Sequence, residues 1–365
     1  MSPGSASGTL RLLQPGPQTT VQDLGRFGWQ AFGVSSCGAL DPVALRLANA
    51  LVGNDDAAAA LECRLAGPAF EVTGGPARLA LAGAEATIVV EADGTSASYP
   101  AWRAFDAPAG AVVRVGALRG SGCAVLAVAG GVAVAPVLGS RATDLKGGFG
   151  GHEGRALRAG DALAFFPPSA PGPCLELPAP PSPAFAGTLR VVPGPQGEAF
   201  TAEAMATFLS AAYEVTREAD RMGMRLAGPP LGFVAGADIV SDGIATGSIQ
   251  VPGSGQPIVL LVDHQTIGGY AKIATVISAD LPAAGRLLPG ATIRFEAVSV
   301  EAAEEARRAL EREILRQIGT LTPVRAAAAI DVAALLAGNL ISGVVSAFDD
   351  SAANPGPDRV RTAES

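Results

Sequence analysis

Four polar segments embedded in glycine hold nearly all the side chains that could do chemistry. Thr19–Asn54 carries QDLGRFGWQ, Gly139–Asp161 carries GSRATD and LKGGFGGHEG, Asp220–Leu226 reads DRMGMRL, and Ser241–Asp280 holds SDGIATGSIQVPGSGQP and DHQTIGGYAKIATVISAD. Lys146 and Lys272 are the only lysines, His152 and His264 the only histidines, and all four fall inside these segments. Asp220 and Arg221 read either as a site pair, the arginine clamping an oxyanion, or as an internal salt bridge holding a turn. Asp263, His264 and Gln265 follow the apolar run PIVLLV. They therefore sit at a strand end, exposed to a barrel mouth or capping a turn. Gln250, on the paired strand, suits hydrogen bonding to an amide substrate. Tyr270 and Lys272 are two apart and share one face of a strand. Lys146 among glycines offers backbone N–H groups to a phosphate-like anion, or else marks a flexible turn. Asp23, Arg26, Asn49 and Glu62 read as structural.

Several chemistries are excluded. There is no GxxxxGK[ST] phosphate loop, GxSxG elbow or HExxH, and no lysine sits in a biotin-attachment setting. Two histidines cannot build a multi-histidine metal site. Cys37, Cys63, Cys123 and Cys174 are scattered with no CxxC pair, so a reduced, cytoplasmic chain is expected. The net charge of −8, without clustered Lys and Arg, disfavours nucleic acid. Mean hydropathy is +0.33, yet the most apolar stretch, Cys123–Gly139, is too short for a bilayer and is broken by Gly130-Gly131. It reads as two buried strands around a turn, and no membrane role is expected.

The elements that must position these residues are short strands between Gly, Pro and Asp turns; Gly and Pro make up about a fifth of the 365 residues. Strands are expected at Arg78–Ala82, Thr87–Glu91, Ala111–Val115 and Ala124–Val128. In the second half they fall at Ala237–Val240, Ser248–Val251, Ile258–Val262 and Ala291–Phe295, with PGSGQP closing a hairpin. Asp41–Gly53 is a helix with an Asp cap, Pro at its first turn and a Gly stop. Glu198–Tyr213, Glu301–Ile318 and Asp331–Ala337 are also expected to be helical. This pattern divides the chain into a β-rich domain (1–166), a Pro-rich linker (167–187), a barrel domain (188–300), a helical segment (301–348) and a disordered tail (349–365).

Taken in order from about Gln22 to Val298, QDLGRFGWQ, GALD…AN.LVGN, GSRATD, ADRMG.RL, SDGI..GSIQVP..GQPI and DHQTIGGYAKIATVI resemble one family. It comprises the C-type 5-oxoprolinase subunits, the allophanate hydrolase subunit 2-like proteins, the biotin-dependent carboxyltransferase domain of urea carboxylase, and the antagonist of the sporulation-kinase inhibitor. Ala333–Gly343, AALLAGNLISG, resembles the family's tails. The resemblance implies a mainly β (α+β) fold of cyclophilin-like β-barrel units with flanking helices. It implies a partner like the B-type 5-oxoprolinase subunit (kinase-inhibitor-like), with an A-type partner in addition.

The implied activity is ATP-driven opening of 5-oxo-L-proline to L-glutamate, with ATP used alongside the partner subunits. The alternatives are biotin-dependent carboxyl transfer to a urea-like amide, the only reading that calls for biotin, and a non-enzymatic module that antagonises a kinase inhibitor. Lys272, Asp263, His264 and Arg221 are the expected catalytic residues, and Gln250, Gln265, Tyr270, Asp220 and Lys146 the expected substrate-binding ones, with no metal. Two positions depart from the family pattern: His264 stands where arginine is usual, and Arg286 where glutamine is usual. Histidine, neutral about half the time near pH 6.5, cannot fully replace a bidentate guanidinium, and Arg286 is a candidate to supply the lost charge.

Overall fold

Alternation of apolar and polar residues in runs of four to seven, punctuated by glycine, produces a protein built mainly of strands. The computed structural model describes residues 6–169, 171–182 and 185–324. The helix expected at Asp331–Ala337, the Ala333–Gly343 motif and the tail from 349 lie outside the described residues.

The first half forms two antiparallel sheets. One has the strand order Ala162–Phe165, Gly8–Gln14, Ala69–Thr73, Val112–Val115, Thr87–Ala92, Thr95–Pro100. The other runs Gln18–Gln22, Ala60–Arg64, Cys123–Val128, Ala77–Ala82, Ala104–Ala107. Cys123–Val128 is buried at every position, as a central strand covered on both faces must be. Helix α1 (Pro42–Leu51) packs on it. The Asp41 carboxylate caps this helix by accepting from the Val43 and Ala44 N–H groups at 3.0 Å, and Gly53 ends it with φ of +77°.

The second half is a closed barrel, ordered Thr188–Pro193, Lys272–Val276, Ser248–Gln250, Ile258–Leu260, Gly223–Ala227, Tyr213–Ala219, Thr292–Ala297. A parallel pairing of the first and last strands closes it. Leu189, Val191, Tyr213, Val215, Met224, Leu226, Ile249, Val259, Ile273, Ile293 and Phe295 share its core. The period of two therefore turns Arg225, Ile258, Leu260, Gln250 and Lys272 to the opposite, outer face. A separate two-stranded ribbon, Asp238–Gly243 with Ile267–Tyr270, is attached here. Leu40 and Cys123 of the first half join the barrel core, so the two halves meet over apolar surface as well as over the charges described below.

Two expectations change. Glu198–Tyr213 is not one helix. Thr201 caps α2 (Ala202–Ser210) through the Ala204 N–H, a single 3-10 turn precedes it, and Tyr213, wholly buried, already begins a barrel strand. Cys123–Gly139 holds one strand and not two. After Gly130-Gly131, both at positive φ, the Val132 N–H donates to the Ala59 carbonyl and the Ala133 N–H to that of Ala164. The chain thus crosses between the two sheets instead of returning along one. Helix α3 (Leu281–Gly285) is short. Helix α4 (Val300–Gly319) docks on α1 where Arg46 grips Glu311 with two bonds of 2.8 Å. Among the described residues no helix is long and apolar enough to cross a membrane.

Candidate functional site

The hairpin through PGSGQP delivers the chain along Ile258–Leu260 to Asp263-His264-Gln265, beside the Asp220-Arg221 turn. Arg221 is 2% exposed and its guanidinium is fully engaged. Nε and Nη2 donate to the two Asp263 oxygens at 2.8 and 2.9 Å, Nη2 also donates to the Gly38 carbonyl at 2.7 Å, and Nη1 bonds Glu62. The other Glu62 oxygen accepts the Leu40 N–H at 2.6 Å. The expected clamp on a substrate oxyanion is therefore an internal tie between the halves. Asp263, expected as base or orienter, has both oxygens held by that arginine. Asp220 stays at the surface, where one carboxylate oxygen caps its own turn through the Met222 and Gly223 N–H groups.

His264 is also buried. Its Nδ1 lies 2.5 Å from the Gln265 carbonyl, which can only accept, so Nδ1 carries the proton and Nε2 accepts from the Thr246 hydroxyl at 3.1 Å. Burial holds its pKa below the usual 6.5, so the ring is neutral. Its carbonyl accepts from the Ser35 hydroxyl at 2.6 Å, which fixes the loop to the first half. Arg286 does not supply a charge here, because its Nη1 donates to Asp41 at the cap of α1, at 2.7 Å.

Lys272 and Gln250 are register partners across two barrel strands, so both reach the outer face. Lys272 is 3% exposed, and its Nζ donates to Asp242 of the ribbon at 2.8 Å. Gln196 braces this pair by bonding both Asp242 and the Lys272 N–H. The Gln250 carbonyl oxygen accepts from the Gln265 amide at 3.2 Å. These two carboxamides, Tyr270 and Asp220 line an open cleft of about 560 Å³ on the outer barrel wall. Ile258 and Leu260 also line it, together with Arg217, Glu218 and Arg225 of the adjoining hairpin. The cleft thus combines apolar side chains with two carboxamides that bond one another, and the Gln250 Nε2 also donates to the Tyr270 carbonyl at 3.5 Å.

Lys146 is not brought to this cleft. Its glycine loop is closed on itself: Gly147, Gly148 and Phe149 donate to Asp144, Gly151 to Arg141 and Gly154 to Gly150, so these N–H groups are not free for an anion. Asp23, Arg26 and Asn49 are structural. The two Asp23 oxygens accept from the Ser140 hydroxyl and the Arg141 N–H at 2.6 Å, locking QDLGR to GSRATD. Arg26 bonds the Ala142 carbonyl and lies 4.8 Å over the Phe149 ring. Sequence reasoning missed Glu62 as the second anchor of Arg221, Asp242 and Gln196 as the company of Lys272, and Arg217 at the cleft. Glu62 alone left a signal, an acid inside the apolar strand ALECR.

A closed barrel joined through buried ion pairs to a two-sheet half, with an amide-lined cleft on its outer wall, defines a β protein with a candidate site for a small polar molecule. The chain belongs to the family described as carboxyltransferase domain, subdomain A and B, whose model matches residues 32–297. It is 38% identical over 304 residues to the C subunit of 5-oxoprolinase from Escherichia coli, covering 83% of this chain and 96% of that one. Against the protein of the same name in Haemophilus influenzae it is 36% identical over 299 residues, covering 81% and 94%. The crystal structure of Kluyveromyces lactis urea carboxylase superposes with a TM-score of 0.78 at 28% identity; the match covers 87% of this chain and 30% of that longer one.

Proposed function

We propose that this protein is the C-type subunit of an ATP-dependent 5-oxoprolinase, converting 5-oxo-L-proline, ATP and water into L-glutamate, ADP and phosphate together with partner subunits. The observation that carries this reading is the 38% identity running over 96% of the Escherichia coli C subunit. A five-membered lactam is an unstrained amide, so its opening needs the carbonyl oxygen activated and the developing charge held. In this reading Gln250 and Gln265 orient the lactam amide and Tyr270 borders it. Lys272, next to Gln250, supplies positive charge toward the lactam oxygen once its contact with Asp242 loosens. Arg221, Asp263 and His264 position the loop that presents Gln265, and ATP is used with a B-type and an A-type partner.

A second reading, biotin-dependent carboxyl transfer to a urea-like amide, is supported by the likeness to urea carboxylase at a TM-score of 0.78. Co-expression with the partner subunits separates the two. ADP release driven by 5-oxo-L-proline and insensitive to avidin supports the first; dependence on carboxylated biotin and urea supports the second. Complex formation with turnover of neither substrate would leave a binding module. Lys272→Met is expected to leave the complex and its Tm nearly unchanged, since the lost partner Asp242 is half-exposed, while lowering kcat at least 100-fold. Retained activity would remove Lys272 from the site.

A further inference from the structure

Among the described residues, the cleft on the outer barrel wall carries one cation without a partner. Of its two arginines, Arg225 is committed to Glu218, Nε to Oε2 at 2.8 Å. Arg217, on the barrel strand Tyr213–Ala219, has no hydrogen bond or ion pair among the described residues, although it lines the same cleft. The other charged groups facing it are Glu218, held by Arg225, and Asp220, which caps its turn. In the barrel order the strand of Ile258 and Leu260 lies next to this hairpin, and the strand of Gln250, whose amide accepts from Gln265, lies beyond it. The lining thus offers an amide-recognising end, an apolar middle and one uncommitted guanidinium.

We propose that Arg217 binds a carboxylate of the substrate, making the cleft selective for small amides or lactams that bear a carboxylate, and poor for neutral amides such as urea. A guanidinium offers a planar pair of N–H donors that matches a carboxylate, which a neutral carboxamide cannot satisfy equally. The assignment rests on the reading that the cleft is the substrate site, and it names the substrate class that site prefers.

The test uses the complex with its partner subunits and two ligands of nearly the same shape, 5-oxo-L-proline with its carboxylate and 5-oxo-L-prolinamide with a neutral carboxamide in its place. The wild type is expected to favour the acid by at least 10-fold in kcat/KM. Arg217→Ala is expected to raise KM for the acid roughly 10- to 100-fold, with kcat within about twofold, and to leave the neutral amide unaffected. Arg217→Lys should recover part of the loss. If 5-oxo-L-proline is turned over and Arg217→Ala keeps the wild-type KM, the assignment to Arg217 fails while the functional reading stands. If the complex turns over neither lactam, the functional reading fails. Titration of the acid and the amide into the isolated chain then decides the subsite: binding of the acid alone, abolished by Arg217→Ala, supports it. Equal affinity in both proteins, or no binding of the acid at about 10 mM, overturns it.

Discussion

Replacing Arg221 with methionine probes whether the buried arginine holds the halves together or acts on substrate. The guanidinium sits between Glu62 and Asp263, all three no more than 2% exposed, and it also donates to the Gly38 carbonyl at 2.7 Å. Removing the only cation of the triad leaves two carboxylates out of water facing each other. Breaking a buried ion pair in this way costs about 3–5 kcal/mol, a fall in Tm of roughly 4–8 °C for a compact unit that runs from Met1 to Val324. Two probes separate the halves. Of the two tryptophans, Trp102 is buried in the first half and Trp29 is on its surface, whereas the barrel has none, so tryptophan fluorescence reports on the first half and far-UV circular dichroism on both. In Arg221→Met the urea transitions seen by the two probes are expected to separate as well as move down. The triple replacement Glu62→Leu, Arg221→Met, Asp263→Leu should regain most of the loss, because no buried charge remains. It stays below wild type by about 1–3 kcal/mol for each of the Leu40 N–H and the Gly38 carbonyl, which have lost their partners. An Arg221→Met protein destabilised by less than about 1 kcal/mol, yet inactive with 5-oxo-L-proline in an intact complex, would refute this reasoning and return Arg221 to the substrate.

Two further perturbations test the surroundings. The pKa of His264 is lowered by burial, so acid favours the unfolded chain, in which the ring takes up a proton near pH 6.5. Stability is expected to be fully present above that pH and to decline as pH falls through the depressed folded value; His264→Gln should flatten the slope of Tm against pH on the acid side of 6.5, and an unchanged slope would show that the ring is not the group titrating. Asp41→Ala removes the cap of α1 and the partner of Arg286, and is expected to cost about 1–2 kcal/mol by urea unfolding. Asp41→Asn should keep the cap and lose less, and equal losses would place the energy in the Arg286 contact.

Local signals determined much of this protein. Asp41, Pro42 and Gly53 delimit α1 because an N-cap acceptor, a fixed φ and a left-handed stop act within one turn of the chain. PGSGQP sets a hairpin for similar reasons, and the ordered motifs carry the family. Where local chemistry competed, at Glu198–Tyr213, Thr201 and the alternation from Tyr213 onward set the boundaries. The candidate site was legible only in part. The sequence brought Gln250, Gln265 and Tyr270 into one region because they lie on neighbouring strands of a hairpin and its return. It could not reveal that Arg221 is neutralised by Glu62, 159 residues away, or that Lys272 is covered by Asp242 of a ribbon. Whether a charge is free to meet a substrate depends on its partners and its distance from water. Those are properties of the packed chain, so residue type and spacing named the charged residues and only the tertiary structure decided which were already spent.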